Sequence, residues 1–204
     1  MDDIVRQAMA KWPNVPHCHG WLALDARGAW RMRDDHAQAA GLRGDPIRHA
    51  ALIGFINRNY HCDDKGRWYF QNGPQRVYVD LDVAPFVART DLGLAFSLHT
   101  GVPLGPIEQA WMTEQGQLLL EASGCIALVD DRDLAQCMSC LRLDGQGVGD
   151  EALLAWLGDE KETGSLTLHH EGRDFAVAKV ALDALPTRFG FVARPRPDQD
   201  SSPL

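Results

Sequence analysis

The apolar positions of this chain change period several times, and each change marks an element. Ile4, Val5, Ala8, Met9 and Trp12 recur at helical spacing behind Asp2 and Asp3, so the pattern predicts a capped first helix that Pro13 ends. Trp21, Leu22 and Leu24 read as a strand running into the turn signal Asp25-Ala26-Arg27-Gly28, and Ala29 and Trp30 begin the return strand. Asp45 is placed to cap, and Pro46 to open, a helix reaching about Tyr60, with Ile47, Ala51, Leu52, Phe55, Ile56 and Asn59 on one stripe. Trp68 and Phe70, the turn Asn72-Gly73-Pro74, and then Val77, Val79 and Leu81 in alternation predict a second hairpin.

Farther on, Leu92, Leu94, Phe96 and Leu98 alternate, as do Leu118 and Leu120 behind the Glu114 to Gly116 turn, and predict extra strands bridging two lobes. Asp131 is expected to cap a helix through Leu134, Met138 and Leu141. A shorter helix from Asp150 to about Leu157 precedes a hairpin formed by Leu166 and Leu168, a turn at Glu171-Gly172, and Phe175 and Val177. Hairpins separated by single helices, without regular strand–helix alternation, make the fold class α+β rather than a doubly wound sheet.

The pattern also repeats. Gly44 to Ile56 matches Gly145 to Leu157 at an offset of about 101, with Gly44/Gly145, Ala51/Ala152 and Leu52/Leu153 identical. At the same offset Val79 to Pro85 matches Val180 to Pro186, and Gly20 to Leu24 resembles Gly124 to Leu128 at an offset of about 104. The expected organisation is therefore an N-terminal helix over 1–17, a first α+β lobe over 18–90, bridging strands over 91–123, a related second lobe over 124–193 and a flexible tail over 194–204. That tail alternates proline with charge and serine, a composition that buries too little apolar surface to offset its ordering entropy.

Composition narrows the function classes. With 45% hydrophobic and 24% charged residues in 204, the chain can pack a core, and its net charge of −8 would repel a phosphate backbone, so nucleic acid is not an expected partner. Two acids stand where a signal peptide needs positive charge, and the longest apolar stretch, Ala50 to Ile56, is far short of the roughly 20 residues of a membrane span. Five cysteines in irregular spacing read as reduced thiols. Together these point to a cytoplasmic protein with no membrane partner.

The order Gly20-Trp21, Asp25 to Trp30, Gly44 to Ile47, an aromatic hairpin, and Asp82-Val83-Ala84-Pro85-Phe86 resembles uncharacterised proteobacterial proteins classed as domains of unknown function. The nearest such group, beta-proteobacterial chains of about this size, is similar along most of the length. A more distant proteobacterial group shares the short pattern over roughly residues 18 to 90, and its resemblance implies an α+β fold of repeated motifs with a suggested role in signal transduction. Leu81-Asp82-Val83-Ala84-Pro85 departs from that pattern, which has an acid next to Ala-Pro. The resemblance implies no catalytic residue.

Candidate chemistry concentrates in the first half. His17-Cys18-His19 and His61-Cys62-Asp63-Asp64 carry zinc-type ligands that would serve a metal-dependent enzyme if the segments converged. Cys137-Met138-Ser139-Cys140 is a C-x-x-C on an expected helix, and His169-His170 lies in a strand, where neighbours face opposite ways. There is no Gly-x-Ser-x-Gly, Walker loop, His-Glu-x-x-His or dinucleotide fingerprint, and Gly145 to Gly149 reads as a connector, so no cofactor is expected. Asp130, Asp131 and Asp133 suit a helix start better than a calcium loop.

Differences between the halves single out Arg58, Tyr60, Arg67, Tyr69, Gln71 and Arg76. Asn57 to Tyr60 maps onto plain Gly158 to Lys161, and all three tyrosines and four of six tryptophans precede residue 90. Strand alternation sends Trp68 and Phe70 to one face and Arg67, Tyr69 and Gln71 to the other. One face packs, and the other presents guanidinium, phenol and amide groups suited to an anionic or polar ligand or a protein partner. The expected function is a non-catalytic binding or regulatory module, with the metal-dependent enzyme as the alternative and a purely structural homodimer as a third reading.

Overall fold

The computed structural model describes residues 1–158 and 164–198, which fall into two compact units: Met1–Pro85 with the chain from Gly190 onward, and Phe86–Phe189. The stretch 159–161, expected as the counterpart of Arg58 to Tyr60, and the tail residues 199–204 lie outside the described residues. The fold class is α+β, with one six-stranded and one nine-stranded sheet. No described helix is long and apolar enough to cross a membrane.

The first unit opens with α1 (Asp3–Lys11), which buries Val5 and then gives way to the loop before β1 (Cys18–Leu24). Asp25 closes the next turn by accepting from the N–H groups of Arg27 and Ala29, with Gly28 at a φ of 76°, and β2 (Trp30–Met32) returns antiparallel to β1. After α2 (Asp35–Ala39) come β3 (Asp45–Pro46), α3 (Ala50–Arg58), β4 (Tyr60–Cys62), β5 (Trp68–Asn72) and β6 (Gln75–Leu81). The sheet order is β3-β2-β1-β6-β5-β4, with β1 and β6 parallel.

Asp45 and Pro46 therefore do not begin the helix. Gly44, at a φ of 76°, sits so close to the Met32 carbonyl that a side chain there would collide with it, and the turn it makes lays Asp45 and Pro46 beside β2. Proline is tolerated in β3 because an edge strand can do without one N–H. The helix starts four residues later, at Ala50, behind His49, whose Nδ1 accepts from Leu52 N at 3.3 Å.

The two faces of this sheet differ in chemistry. Leu22, Leu24, Trp30, Phe70, Val79 and Leu81 are buried on one, where Phe55 of α3 meets Phe70 edge-on at 5.4 Å. The other carries a rung of rings across four strands: His61 beside Tyr69 at 6.2 Å, Tyr69 beside Tyr78 at 5.8 Å, and Tyr78 beside His19 at 4.6 Å. Strand pairing sets that rung, because His61 lies opposite Tyr69 and Tyr69 opposite Tyr78. His19 joins it through an irregularity in β1 between Cys18 and Leu22, where Gly20 has a φ of 80°.

The second unit contains β7 (Phe86–Thr90), β8 (Phe96–Leu98), β9 (Ile107–Thr113), β10 (Leu118–Ala122) and β11 (Cys125–Val129). Then follow α4 (Leu134–Met138), β12 (Leu141–Leu143), β13 (Gln146–Gly147), α5 (Asp150–Gly158), β14 (Leu166–His170), β15 (Arg173–Val180) and α6 (Leu185–Phe189). Its sheet runs β13-β12-β14-β15-β9-β10-β11-β7-β8 around a core in which Met112, Leu118, Leu120 and Leu141 are sealed from solvent and α5 supplies Leu153 and Trp156. Residues 91–123, expected to bridge two lobes, instead contribute β8, β9 and β10 to this sheet. The strand expected from Leu92 begins only at Phe96, because Asp91 accepts from Gly93 N and Ala95 N and Leu94 takes a φ of 64° in the turn. The helix behind Asp131 ends at Met138, leaving Leu141 to β12, and Asp133 rather than Asp131 stands at its start.

A duplication is not confirmed. Both halves present a short edge strand, a helix and a hairpin in the same order, and in each the hairpin's second strand lies parallel to a strand from upstream: β6 beside β1, β15 beside β9. The strand matched to β1 in sequence is β11, however, and β11 pairs in parallel with β7 instead.

Candidate functional site

The open side of the aromatic rung borders a cleft of about 510 Å³ lined by the Pro13 to Pro16 loop, His17, His19, Arg67, Tyr78, Pro197 and Asp198. Tyr78 forms the floor. Its ring is stacked by His19, met edge-on by His17 at 5.9 Å and covered by the Arg67 guanidinium 4.9 Å from its centroid. Beside it, Arg76 stands 4.5 Å over Tyr69.

Asp63 holds this group in place. Its carboxylate accepts from Lys65 N at 3.0 Å, Arg67 N at 2.9 Å, Arg67 Nε at 2.8 Å and the Tyr78 hydroxyl at 3.1 Å, with its side chain 3% exposed. Burial opposes ionisation, but those hydrogen bonds outweigh it and keep the carboxyl below its ordinary range. The second carboxylate on Arg67 belongs to Asp198, which accepts from Nη1 at 3.1 Å and from Lys65 Nζ at 3.0 Å. Both histidines are pushed below the ordinary imidazole value, His17 by burial and then by Arg76 and Arg67, and His19 by burial and then by Arg67, His17 and Arg196, with Asp198 opposing. The cleft therefore carries neutral imidazoles at neutral pH, and the Nε2 of His19 is buried without a hydrogen-bond partner among the described residues.

The structure separates the expected site residues. Arg67 and Arg76 share the polar face, and Tyr69 and Gln71 lie on it, as the alternation predicted, but both are buried. Gln71 is sealed from solvent with its Nε2 donating to the Gly73 carbonyl. Tyr60 belongs to the opposite, packed face: it is buried against Trp30 and Trp68, and its hydroxyl donates to the Pro85 carbonyl at 3.0 Å. Arg58 leaves the group as well, ending exposed near Asp2 at 3.4 Å and donating to the Gly54 carbonyl.

The metal reading meets a geometric obstacle. His17, Cys18 and His19 enter through β1, whereas His61 and Cys62 sit on β4, with β6 and β5 between them. Three strand spacings put the two groups roughly 14 Å apart, too far to share one ion. Among the described residues no group of three or more His, Cys, Asp or Glu is placed to hold a metal. Cys137 and Cys140 do not share a helix face either, because α4 ends at Met138, and burial pushes the Cys137 thiol up to about 12.

The sequence pattern marks Tyr78 only by its place in the richer half and Asp63 as a turn residue and a metal-ligand neighbour, and nothing in it singles out Lys65 or Asp198. The signal for Tyr78 is the same alternation that turns Val77 and Val79 to the packed face, read on the opposite face.

The family described as "Protein of unknown function (DUF2946)" matches residues 1–196. The chain belongs to this family, DUF2944. No curated protein matches the DUF2944 chain. Among solved structures, a DUF1285 family protein from Silicibacter pomeroyi DSS-3 is similar at a TM-score of 0.50 and 19% identity, covering 91% of this chain and 98% of that one. Another, from Shewanella baltica OS155, has a TM-score of 0.39 and 15% identity over 57% of this chain and 88% of that one. The first likeness concerns the fold of the DUF2944 chain alone.

Proposed function

We propose that this protein is a non-catalytic binding module whose first unit takes a small anionic ligand into the cleft floored by Tyr78. One observation carries the reading: Asp63 fixes the Nε side of the Arg67 guanidinium from below, so that its Nη side is aimed at the cleft. A planar donor fork held in advance loses little freedom when an anion arrives, and the flanking rings offer flat apolar surface for the rest of the ligand. Lys65, Arg67 and Arg76 gather three cations in this region, with Asp63 and Asp198 offsetting two of their charges, and that excess favours anionic ligands over cationic ones. Such reversible occupancy fits a regulatory, signalling-type role.

The test is a thermal-shift screen of small carboxylates, phosphates and nucleotides on wild type and Arg67→Gln. The reading expects at least one anion to stabilise the wild type and to lose that effect in the variant. Equal shifts in both proteins, or none in either across the panel, would reject the site.

A further inference from the structure

We infer that the second unit carries a binding site of its own, at the mouth of its curled sheet, for an organic monocarboxylate with a flat apolar body, and that Arg173 anchors the carboxylate. The inference uses none of the residues of the Tyr78 cleft and stands whether or not that cleft binds an anion.

The site comes from the way the nine-stranded sheet closes. β8 and β14 are six places apart in the strand order, so a flat sheet would hold them roughly 29 Å apart. The Phe96 ring of β8 instead lies 5.3 Å from the His170 ring of β14, so the sheet curls around its core until these two strands face each other. Between them opens a pocket of about 390 Å³ whose walls include Phe96, Leu104, Ile107, His170, Arg173 and Phe175. The mouth of a β-barrel is a recurrent place for small-molecule sites, and this volume lies within their usual range.

The period-two pattern of β14 and β15 decides what reaches this mouth. Leu166 and Leu168 on β14, and Phe175 and Val177 on β15, are buried in the core, so His170 and Arg173 are the next positions on the same inward face, opposite each other at the turn. Both turn residues are left-handed, Glu171 at a φ of 49° and Gly172 at 73°, as a tight two-residue hairpin requires. The same alternation sends Asp174 to the outer face, where it pairs with His169 Nδ1 at 2.7 Å, and so takes the adjacent carboxylate away from Arg173. Glu171, 80% exposed in the turn, approaches His170 at 3.9 Å. Among the described residues the Arg173 guanidinium meets no carboxylate, and it lies over the Phe175 ring, 5.3 Å from the centroid.

The facing wall is stiff. Pro103, bridged to Ser97, and Pro106 restrict the backbone on either side of Leu104, whose N–H donates to the Phe96 carbonyl at 2.9 Å. A cavity shaped in advance loses little freedom when a ligand arrives. Its chemistry names the occupant. The rings of Phe96, His170 and Phe175, with Leu104 and Ile107, offer surface to a flat apolar body, while one planar guanidinium fork matches one carboxylate. A phosphate dianion would meet that single cation with Glu171 beside it, so the pocket favours the singly charged group.

The experiment is an NMR titration of the isotopically labelled full chain with phenylacetate, read from amide shifts, with phenethyl alcohol, acetate and inorganic phosphate titrated in parallel, and repeated on Arg173→Gln and Arg67→Gln. The expected result is saturable phenylacetate binding with shifts gathered around Phe96, Leu104 and Arg173, an affinity about tenfold lower in Arg173→Gln and unchanged in Arg67→Gln. Phenethyl alcohol lacks the charge and acetate lacks the body, so each should bind more weakly than phenylacetate. No saturable phenylacetate binding would overturn the site, and shifts gathered around His17 and Arg67 would overturn it while leaving the reading of the first cleft standing. Equal affinities for phenylacetate and phenethyl alcohol, or for wild type and Arg173→Gln, would overturn the anchor. Acetate or phosphate binding here as tightly as phenylacetate would overturn the ligand class. Should either variant fail to fold, the shift map and the comparison of the four probes on wild type still decide the inference.

Discussion

His19 lies flat against Tyr78, with ring centroids 4.6 Å apart and planes within 16° of parallel. The phenol beneath it has two jobs that can be separated: its ring is the platform for His19 and Arg67, and its hydroxyl donates to Asp63. Tyr78→Phe keeps the ring and removes one donor from a buried carboxylate, so it should cost about 1 to 2 kcal/mol. Tyr78→Ala removes the platform as well and should cost about 3 to 5 kcal/mol, the range for deleting a buried aromatic. Urea denaturation of both variants checks this, and equal losses would show that the ring contributes nothing beyond its hydroxyl.

How far this site was legible in the sequence depends on which force placed each residue. Arg67, Tyr69 and Gln71 were assigned to the face opposite Trp68 and Phe70 because strand alternation is a local rule, and the pairing of Tyr69 with Tyr78 preserves it. Tyr60 was misassigned because it stands where helix changes to strand, and its pairing with Phe70 across β4 and β5 turns it toward the core. Pro46 was ambiguous in principle, since a helix's first turn and an edge strand can both do without its N–H, and only the close approach of Gly44 to Met32 decides between them. Asp198 was out of reach altogether. The composition around it reads as unstructured, and its docking depends on backbone bonds such as Leu81 N to Ala193 O, which composition does not encode.

In the second unit, burial of His99 sets an acid-stability limit. Its Nδ1 accepts from Val87 N at 3.2 Å, and burial lowers its pKa from 6.5 to about 4. A histidine depressed in the folded state takes up its proton first in the unfolded state, so stability falls as pH drops below 6.5 and levels off near 4. The full loss is about 3 kcal/mol at 1.36 kcal/mol per pH unit. Asp63 and Asp133, held below the ordinary carboxylate range, lose their contributions only at lower pH. His99→Asn keeps an acceptor near the Nδ1 position and should flatten the profile between pH 7 and 4 in chemical denaturation. A variant profile as steep as that of wild type would move the cause elsewhere.

The two helices that cover the sheets should respond unequally to truncation. Trp156 on α5 is buried, its Nε1 donates to the Gly164 carbonyl at 2.9 Å, and Lys179 lies over its ring, so Trp156→Ala should cost about 3 to 5 kcal/mol. Phe55 on α3 is only half-buried, although it meets Phe70 edge-on. Phe55→Ala should therefore fall below that range, at about 2 kcal/mol, because less apolar surface leaves water at this position. Paired denaturation curves test the order, and a larger loss at Phe55 would contradict the burial of the two rings.

Anion binding in the cleft should strengthen as pH falls. His17 is held neutral by burial and by Arg76 and Arg67, and His19 by burial and by Arg67, His17 and Arg196, with Asp198 alone acting in the opposite sense. An anion beside them favours the protonated form, and linkage then requires protonation to favour the anion by the same factor. Both folded values lie below 6.5, so the gain should be small at pH 7 and grow below pH 6.5, reaching about tenfold in affinity if one imidazole's pKa rises by one unit on binding. Sulfate keeps its charge over this range, so titrating it from pH 8 to 5 isolates the protein's own protonation. Replacing both His17 and His19 with glutamine should make the profile flat. Sulfate affinity that rises just as steeply in the double variant would show that the protons are taken up outside this cleft.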